Sequence, residues 1–368
     1  MKEFPFPEKE CKKLYSYVCR NFKSPEGGTY NNRNRNYIGF FGHLKLMEAE
    51  ICLYRATADK EYLDNFKKGL LFCKRQFKEN IGIEDWWNAD YTQSSEWIES
   101  NHLGIFAFLV YLYYLSTRDG SFNDLAEKAM LIIPKNKDNS GTFLDGFNLD
   151  KTILDDNRYL ADHSEILAGF WALYKLTGKE LYRTYYEDIF RFLDHNFKSI
   201  PKQPDVPAWL VGPKHITYGE GTKAIYCDES HTVYSQYFIS RDIILTQSQE
   251  RYNQLVTSTK WIKHYALFDD GLSGYNEKDD KLIGWSALYA AQTYWSYLIT
   301  KEQEFYDDVI RTVESILFYI DKTPIETFIP VSSKINWGEM ENNKAGLGEI
   351  WQLASILEGL SIPKVVFP

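Results

Sequence analysis

Apolar and polar positions alternate along the chain in long blocks that are typical of paired helices. Segments such as 103–116 and 165–176 are apolar and aromatic with few charges, whereas 61–77 and 302–318 carry charge along one face. A helix that is apolar all round is buried on all sides, and a helix with one charged face lies on the outside. The pattern therefore predicts buried inner helices, each followed by an amphipathic outer helix.

A short turn sequence separates the two helices of each pair and occurs five times. Each copy begins with threonine and ends with an aromatic residue, and the closing aromatics are 60, 60, 70 and 54 residues apart. Repetition at a nearly constant interval indicates one supersecondary unit used several times, here a helical hairpin. The copies are TADKEY at 57–62, TRDGSF at 117–122, TGKELY at 177–182, TQSQERY at 246–252 and TKEQEFY at 300–306.

The number of inner helices predicts the architecture. Six are expected, beginning near Phe40, His102, His163, Glu229, Trp285 and Leu347. The sixth has no outer helix after it, but an amphipathic helix from Pro7 to Phe22 can fill that place. This closure predicts an all-α fold, an (α/α)6 toroid of six hairpins, in a single domain over residues 1–368. An open superhelix of hairpins is the alternative, although its repeats are usually shorter, about 34 to 47 residues.

Composition narrows the classes of partner. The formal net charge is −9 and no stripe of lysine or arginine appears, which argues against nucleic acid and anionic membranes. The longest apolar run, 104–115, is too short to span a bilayer. The five cysteines form no zinc or redox spacing, and the N-terminus has no apolar signal core. We expect a cytoplasmic monomer that acts on a small molecule or oligosaccharide without a cofactor.

The segments that lead into the inner helices are long and combine aromatic rings with acids and amides. In a toroid these segments converge at one mouth of the ring, and such loops usually carry the function. Flat aromatic faces stack on sugar rings, while carboxylates and amides bind hydroxyl groups. The sequence therefore predicts a sugar-binding cleft. The expected substrate contacts are Tyr30, Trp86, Trp87, His102, Trp209, Tyr218, Trp285 and Trp337.

Glycoside cleavage needs two carboxyl groups, one to protonate the leaving oxygen and one to activate water or attack carbon. Asp156 and Asp228 are predicted to belong to this catalytic set, with Asp90 in reserve. Helix capping is the competing explanation for Asp228 and also for Asp162, because both precede or begin a helix. Asp156 lies further from its helix and is harder to explain as a cap.

Histidines also recur at the starts of inner helices, at positions 43, 102, 163 and 231. A protonated imidazole is unfavourable at a helix N-terminus, so we expect these side chains to be neutral. His163 and His231 are predicted as catalytic residues that bind hydroxyls or transfer protons. The alternative is a histidine bonded to a backbone carbonyl in the rim of the core. No spacing typical of a metal site accompanies them, and we predict no metal.

Two segments carry a resemblance to known families. GGTY at 27–30 and DHSEILAGFWALYKLTGKELY at 162–182 are similar to segments of the six-hairpin glycosidase superfamily and of enzymes related to N-acylglucosamine 2-epimerase. The resemblance implies the toroid and a sugar substrate. Epimerases of that family use a pair of histidines, the second near the C-terminus, and here no histidine follows His264. A hydrolase acting through carboxylates is therefore the leading hypothesis.

Three alternatives remain at this stage. A sugar epimerase or isomerase would use His163 and His231 as acid and base. A terpenoid cyclase would share the toroid, although LDDN at 154–157 is the nearest approach to its DxDD motif. A binding protein without catalysis would have an aromatic cavity lacking convergent acids. Fold alone does not choose among these classes.

Overall fold

The computed structural model describes most of the helical part of the chain. Only the backbone is described for residues 136, 154–155, 200, 203–204, 215–216, 225–226 and 322. Within the described residues, twelve helices form two concentric rings. The described residues are 2–136, 143–151, 154–155, 159–200, 203–209, 215–216, 225–226, 233–274, 281–322 and 349–364.

The inner ring is closed. Each inner helix packs against the next one along the chain, and the last packs against the first. The predicted toroid is therefore confirmed, and the helix starts lie within a few residues of their predicted positions. The inner helices are α2 (Phe40–Thr57), α4 (Ser100–Thr117), α6 (Leu160–Thr177), α8 (Val233–Thr246), α10 (Ile283–Thr300) and α12 (Glu349–Ser361).

The outer ring covers the inner one with amphipathic helices. The first of these, α1, packs against α12, so the opening helix of the chain takes the place expected for the missing sixth partner. Among the described helices, none is both long and apolar enough to cross a membrane. The outer helices are α1 (Glu8–Phe22), α3 (Lys60–Gln76), α5 (Asn123–Met130), α7 (Glu180–His195), α9 (Tyr252–Tyr265) and α11 (Gln303–Lys322).

The repeated turn ends five inner helices with the same threonine hydrogen bond. In every copy the threonine hydroxyl donates a hydrogen bond of 2.7 to 3.0 Å to the carbonyl four residues earlier. In four copies the same hydroxyl accepts the N–H two residues later, at 3.1 to 3.3 Å. The residue after the threonine in those four is left-handed, with φ between 60° and 70°. These bonds satisfy backbone groups at the helix end and turn the chain toward the outer ring.

Glycine allows two inner helices to approach closely. A Cβ atom on Gly104 of α4 would lie 2.4 Å from the carbonyl oxygen of Glu165 on α6. A Cβ on Gly169 would lie 2.7 Å from the Cα of Gly104. Any larger residue would push the helices apart, since real Cβ contacts are essentially never this short. The side chains at the start of α4 are thereby held close to those at the start of α6.

Short antiparallel strands lie in the segments between the hairpins. In the described chain, the first three leading segments are joined by β1 to β5, and the later strands form two hairpins. They are too short to change the all-α class. The strands are β1 (Tyr37–Gly39) with β2 (Trp86–Asn88); β3 (Trp97–Glu99), β4 (Gly146–Asn148) and β5 (Leu154–Asp155); β6 (Phe197–Ile200) with β7 (Gln203–Trp209); and β8 (His215–Ile216) with β9 (Ile225–Tyr226).

Candidate functional site

The first turns of the inner helices meet at one end of the toroid, which we call the mouth end. The aromatic ring of Phe41 lies 5.2 Å from that of His102 and 5.7 Å from that of Trp351. Tyr234 in turn lies 5.1 Å from Trp351 and 5.8 Å from Trp285. Side chains from α2, α4, α8, α10 and α12 thus form one aromatic cluster across the ring.

Small exposed areas mark the surface of this cluster. Phe41, Asn101, His102, Tyr234 and Trp351 each retain 5% to 8% exposure, whereas positions one or two turns deeper retain 0% or 1%. Asp162, in the first turn of α6, is half-buried. We call these six residues the axial floor.

Asn101 organises the polar side of the axial floor. Its amide nitrogen donates to Oδ1 of Asp162 at 3.1 Å and to Oε2 of Glu165 at 2.9 Å. Its amide oxygen accepts the backbone N–H of His102 at 2.9 Å. The hydroxyl of Tyr234 donates to the other oxygen of Glu165 at 3.1 Å. Two carboxyl groups from α6 are therefore connected through one amide on α4.

The two carboxyl groups differ in environment. Glu165 is fully buried, and burial raises its pKa to about 7, although Lys45 and Arg241 act in the opposite direction. Asp162 is only half-buried. A buried carboxyl whose pKa is near 7, close to a more exposed carboxyl, can hold or release a proton at physiological pH.

A network of charged side chains lies below the axial floor, on the axis of the ring. Lys45 of α2 contacts Glu48 at 2.5 Å and Glu358 of α12 at 2.7 Å. Arg241 of α8 contacts Glu48 at 2.7 Å and its neighbour Asp242 at 3.2 Å. All five side chains are 0% or 1% exposed. Buried charges are tolerated only when they are paired, so this network fixes three inner helices relative to one another.

The pKa shifts in the network follow from burial and from these pairs. Burial would raise the pKa of Glu48, but Lys45 and Arg241 lower it below its ordinary value. Burial and the charge of Glu48 raise the pKa of Glu358 against the opposing effect of Lys45 and Arg241. Burial raises the pKa of Asp242 to about 6, against the opposing effect of Arg241. The network therefore has the capacity to take up protons near neutral pH.

Of the three described histidines at inner-helix starts, one belongs to the axial floor. His102 stacks on Phe41 there. His163, predicted to be catalytic, is fully buried and faces the outer ring, with its Nδ1 3.0 Å from the carbonyl of Tyr159. His43 likewise contacts the carbonyl of Gly69 on outer helix α3, at 3.3 Å. These two match the alternative of a histidine bonded in the rim of the core.

Asp90 is exposed in the turn after β2. It accepts the backbone N–H of Thr92 at 3.1 Å and the Thr92 hydroxyl at 2.7 Å. These bonds hold the pKa of Asp90 below its usual value. The placement is that of an acid that stabilises a turn.

The predicted aromatic contacts are placed differently from one another. Trp86 is half-buried, with its ring 5.6 Å from that of Tyr37 on the neighbouring strand, and Tyr30 is half-buried nearby. The polar sequence context of Trp87 and Trp209 predicted exposed rings, but the structure buries both.

The reason is packing. Trp87 alternates with Trp86 on β2 and so points to the opposite face, where it meets Phe40 and Phe72. Trp209 packs on Phe197 where β7 lies against α9. Trp285 lies just beneath the axial floor. Asp156, Tyr218, Asp228, His231 and Trp337 lie outside the described residues.

Sequence reasoning missed Asn101, Glu165 and the axial charges. A signal was present, because Lys45, Glu48 and Arg241 lie in inner helices whose other residues are mostly apolar. A charge on a helix that is buried all round must meet a partner inside the protein. Within the described part of the chain, no group of three acids, histidines or cysteines is placed to hold a metal ion.

Comparison with known proteins gives the class of fold. No protein-family model matches the chain, and no curated protein matches it in sequence. Solved structures do match over nearly the whole chain. These structures share the (α/α)6 toroid with this chain, and identities of 11% to 14% limit the likeness to fold.

Three matching structures represent the range. A cellobiose 2-epimerase from Bacillus thermoamylovorans B4167 is 14% identical, with 95% of this chain and 98% of that chain covered and a TM-score of 0.68. A D-mannose isomerase is 12% identical, with 96% of each chain covered and a TM-score of 0.71. An α-1,6-mannanase of Salegentibacter sp. HEL1_6 is 12% identical, with 98% of this chain and 99% of that chain covered and a TM-score of 0.62. The last is an inactive variant with two consecutive aspartates replaced by asparagine, in complex with α-1,6-mannotriose.

Proposed function

We propose that this protein is a carbohydrate-active enzyme, a glycoside hydrolase that binds its substrate on the axial floor. The observation that carries the proposal is Asp162, a half-buried carboxyl that accepts a hydrogen bond from Asn101. His102, the next residue after Asn101, belongs to the aromatic cluster across the ring. Aromatic faces beside a positioned carboxyl suit a sugar ring and its glycosidic oxygen. The likeness in fold to sugar epimerases, an isomerase and mannanases supports a carbohydrate substrate.

In this proposal Asp162 is one of the two carboxyl groups. Glu165 is fully buried and does not meet the ligand, so its role is to orient Asn101 and through it Asp162. We therefore prefer catalysis to helix capping for Asp162, and we leave out Asp90, which bonds Thr92 in its own turn.

The second carboxyl is assigned to Asp156. Asp155 and Asp156 are consecutive and lie in the segment that leads into α6, a few residues before Asp162. The mannanase that shares the fold loses activity when two consecutive aspartates are replaced, which supports a catalytic role for such a pair. The backbone of Asp155 pairs with Gly146, and Gly146 pairs with Glu99, so this segment is tied to the start of α4. Asp228 remains a predicted member of the set.

A sugar epimerase or isomerase is the second candidate. The TM-scores of 0.68 to 0.71 with an epimerase and an isomerase exceed the 0.60 to 0.62 with mannanases. His102 on the axial floor and His231 would then supply the acid and base. Epimerases of the family that this chain resembles use a second histidine near the C-terminus. Here the first turn of α12 contains Glu349 and Trp351 and no histidine.

Proton NMR of reactions in deuterated water separates the two. The purified protein is incubated with cellobiose, mannose and α-1,6-mannotriose. Hydrolysis gives shorter sugars with no deuterium at carbon, because water attacks only the anomeric centre. Epimerisation by proton abstraction exchanges a C–H proton for deuterium and leaves chain length unchanged. Deuterium at C2 without cleavage would refute the hydrolase and establish the second candidate.

A further inference from the structure

Asp85 and His102 form a buried pair at the edge of the axial floor. Oδ1 of Asp85 lies 3.3 Å from Nδ1 of His102. Both atoms are buried, and in the described part of the chain neither has a hydrogen-bond partner, since the contact between them lacks hydrogen-bond geometry. Each is the nearest polar partner that the other has here, and an Nδ1–H turned toward the carboxylate would satisfy both.

The backbone holds Asp85 rigidly. Its carbonyl accepts the N–H of Phe40, the first residue of α2, at 2.7 Å. Its own N–H donates to the carbonyl of Trp97 on β3 at 2.9 Å. Asp85 thus joins the start of one inner helix to the segment that leads into the next, which is a scaffold suited to fixing a side chain.

The same arrangement occurs one repeat later, at Asp145 and His163. The carbonyl of Asp145 accepts the N–H of Ser100, the first residue of α4, at 2.7 Å, and its carboxyl lies 3.5 Å from Nδ1 of His163. Asp85 and Asp145 are one 60-residue repeat apart. The pair is thus a structural element of the repeat and not an accident of one loop.

The two pairs differ in what surrounds them. In the second, Tyr159 supplies backbone partners: its N–H donates to Asp145 at 3.2 Å and its carbonyl lies 3.0 Å from Nδ1 of His163. The His163 ring packs 4.9 Å from Phe192 of outer helix α7. In the first pair the His102 ring stacks on Phe41, within the axial floor. The second pair is a structural fastening, and the first is placed to act on a ligand.

We propose that Asp85 is a positioning residue that keeps the proton of His102 on Nδ1, so that Nε2 presents a lone pair to a hydroxyl group of the bound sugar. The inference rests on the proposed function for the identity of the ligand. It adds to Asp162 a neutral acceptor from a different helix. Nε2 lies on the ring edge opposite Asp85, and a neutral imidazole with Nδ1 protonated accepts there.

The protonation states agree with this role above about pH 7. Burial lowers the pKa of His102 to about 3, so the imidazole is neutral at physiological pH. Burial raises the pKa of Asp85 to about 7. Above that pH the carboxylate is ionised and accepts the Nδ1 proton, so pH 8 is the appropriate condition for a test.

The tautomer is read directly by long-range proton–nitrogen correlation NMR of protein with ¹⁵N-labelled histidine, at pH 8. The His102 signals are assigned by their loss in His102→Gln. We expect the Nδ1–H tautomer in the unaltered protein. We expect its loss in Asp85→Leu, which removes the acceptor at similar volume, and its retention in the matched control Asp145→Leu. The unaltered protein alone suffices to overturn the inference, since an Nε2–H tautomer there contradicts it whether or not the variants fold.

A sugar titration tests the second half of the inference. α-1,6-Mannotriose or cellobiose, whichever is turned over, is added to the labelled protein. We expect the His102 Nε2 resonance to shift and that of His163 to stay. An unmoved His102 resonance with a sugar that is turned over would refute the contact with the ligand. Absence of turnover with every sugar, with the tautomer as expected, would refute the proposed function and leave the positioning by Asp85 intact.

Discussion

The two ends of the toroid are built from the same six inner helices but solve different problems. At the turn end, the threonine hydroxyl satisfies backbone groups in all five copies. The segments that join the inner helices to the outer helices there are short and mostly polar. At the mouth end, helix starts are covered by longer segments with strands, and their side chains bond to one another across helices. The turn end repeats because it only has to reverse the chain. The mouth end varies from repeat to repeat, which is what we expect if it recognises one ligand.

The axis between the two ends should give the largest effect on stability. Arg241→Met leaves Asp242 buried without its cation and Glu48 with Lys45 alone, and breaking a buried ion pair costs about 3 to 5 kcal/mol. Urea unfolding measures the loss. The double variant Arg241→Met/Asp242→Asn should recover part of it, because it removes the unpaired charge. A loss below about 1 kcal/mol in the single variant would mean that the network does not hold the ring together.

At the mouth end, Asp162→Asn should lower turnover by about 100-fold or more with little change in stability. General acid–base assistance is typically of that size, whereas the loss of a helix cap costs about 1 kcal/mol of stability and spares the chemistry. Asp156→Asn and Asp228→Asn test the acids predicted from sequence in the same assay. Full turnover with a lowered melting temperature in all three variants would assign these acids to capping.

Glu165 should make stability depend on pH. Its pKa is about 7 in the folded protein and about 4.3 when unfolded, so the folded state binds more protons between these values. Stability contributed by this group is complete below about pH 4 and is lost as the pH rises to 7. Glu165→Gln should therefore reduce the fall in unfolding free energy between pH 5 and 8, by at most about 3 kcal/mol. Chemical denaturation at both pH values checks this. If the unfolding free energy of Glu165→Gln falls with pH as much as that of the unaltered protein, another group is responsible for the fall.

At the turn end, Thr177→Ala should have the smallest effect. It removes a hydroxyl that bonds the carbonyl of Leu173 at 2.7 Å and accepts the N–H of Lys179 at 3.3 Å. One such bond contributes about 0.5 to 1.5 kcal/mol, and turnover should be unchanged. Thr57→Ala, in an equivalent turn, is the matched comparison. A loss of turnover in either variant would contradict the assignment of function to the mouth end alone.

The scaffold was predictable from sequence because its signals are local and periodic. The threonine turns, the buried inner helices and the opening amphipathic helix each follow from residues close together in the chain, and they predicted the ring and its closure. The site was less predictable because its contacts join distant residues. Glu165 reads as one polar residue in an apolar helix, and nothing local indicates that Asn101 and Tyr234 bond to it.

Histidine spacing shows the same limit more sharply. His102 and His163 stand at equivalent places in two repeats, yet one faces the axis and the other the outer ring. His102 is the third residue of its helix and His163 the fourth, and one residue rotates a side chain by about 100° around a helix. A helix boundary accurate to two residues cannot resolve that difference. Strand alternation has the same effect at Trp86 and Trp87.

The central claim is that the mouth end binds carbohydrate and the turn end does not. Hydrogen–deuterium exchange with mass spectrometry tests it most directly, comparing the protein alone with the protein plus cellobiose, mannose or α-1,6-mannotriose. We predict slower exchange with at least one sugar in peptides covering 27–39 and 84–102, and no change in peptides covering the turns at 57–62, 117–122 and 177–182. Protection confined to the turns, or none anywhere with all three sugars, would contradict the claim.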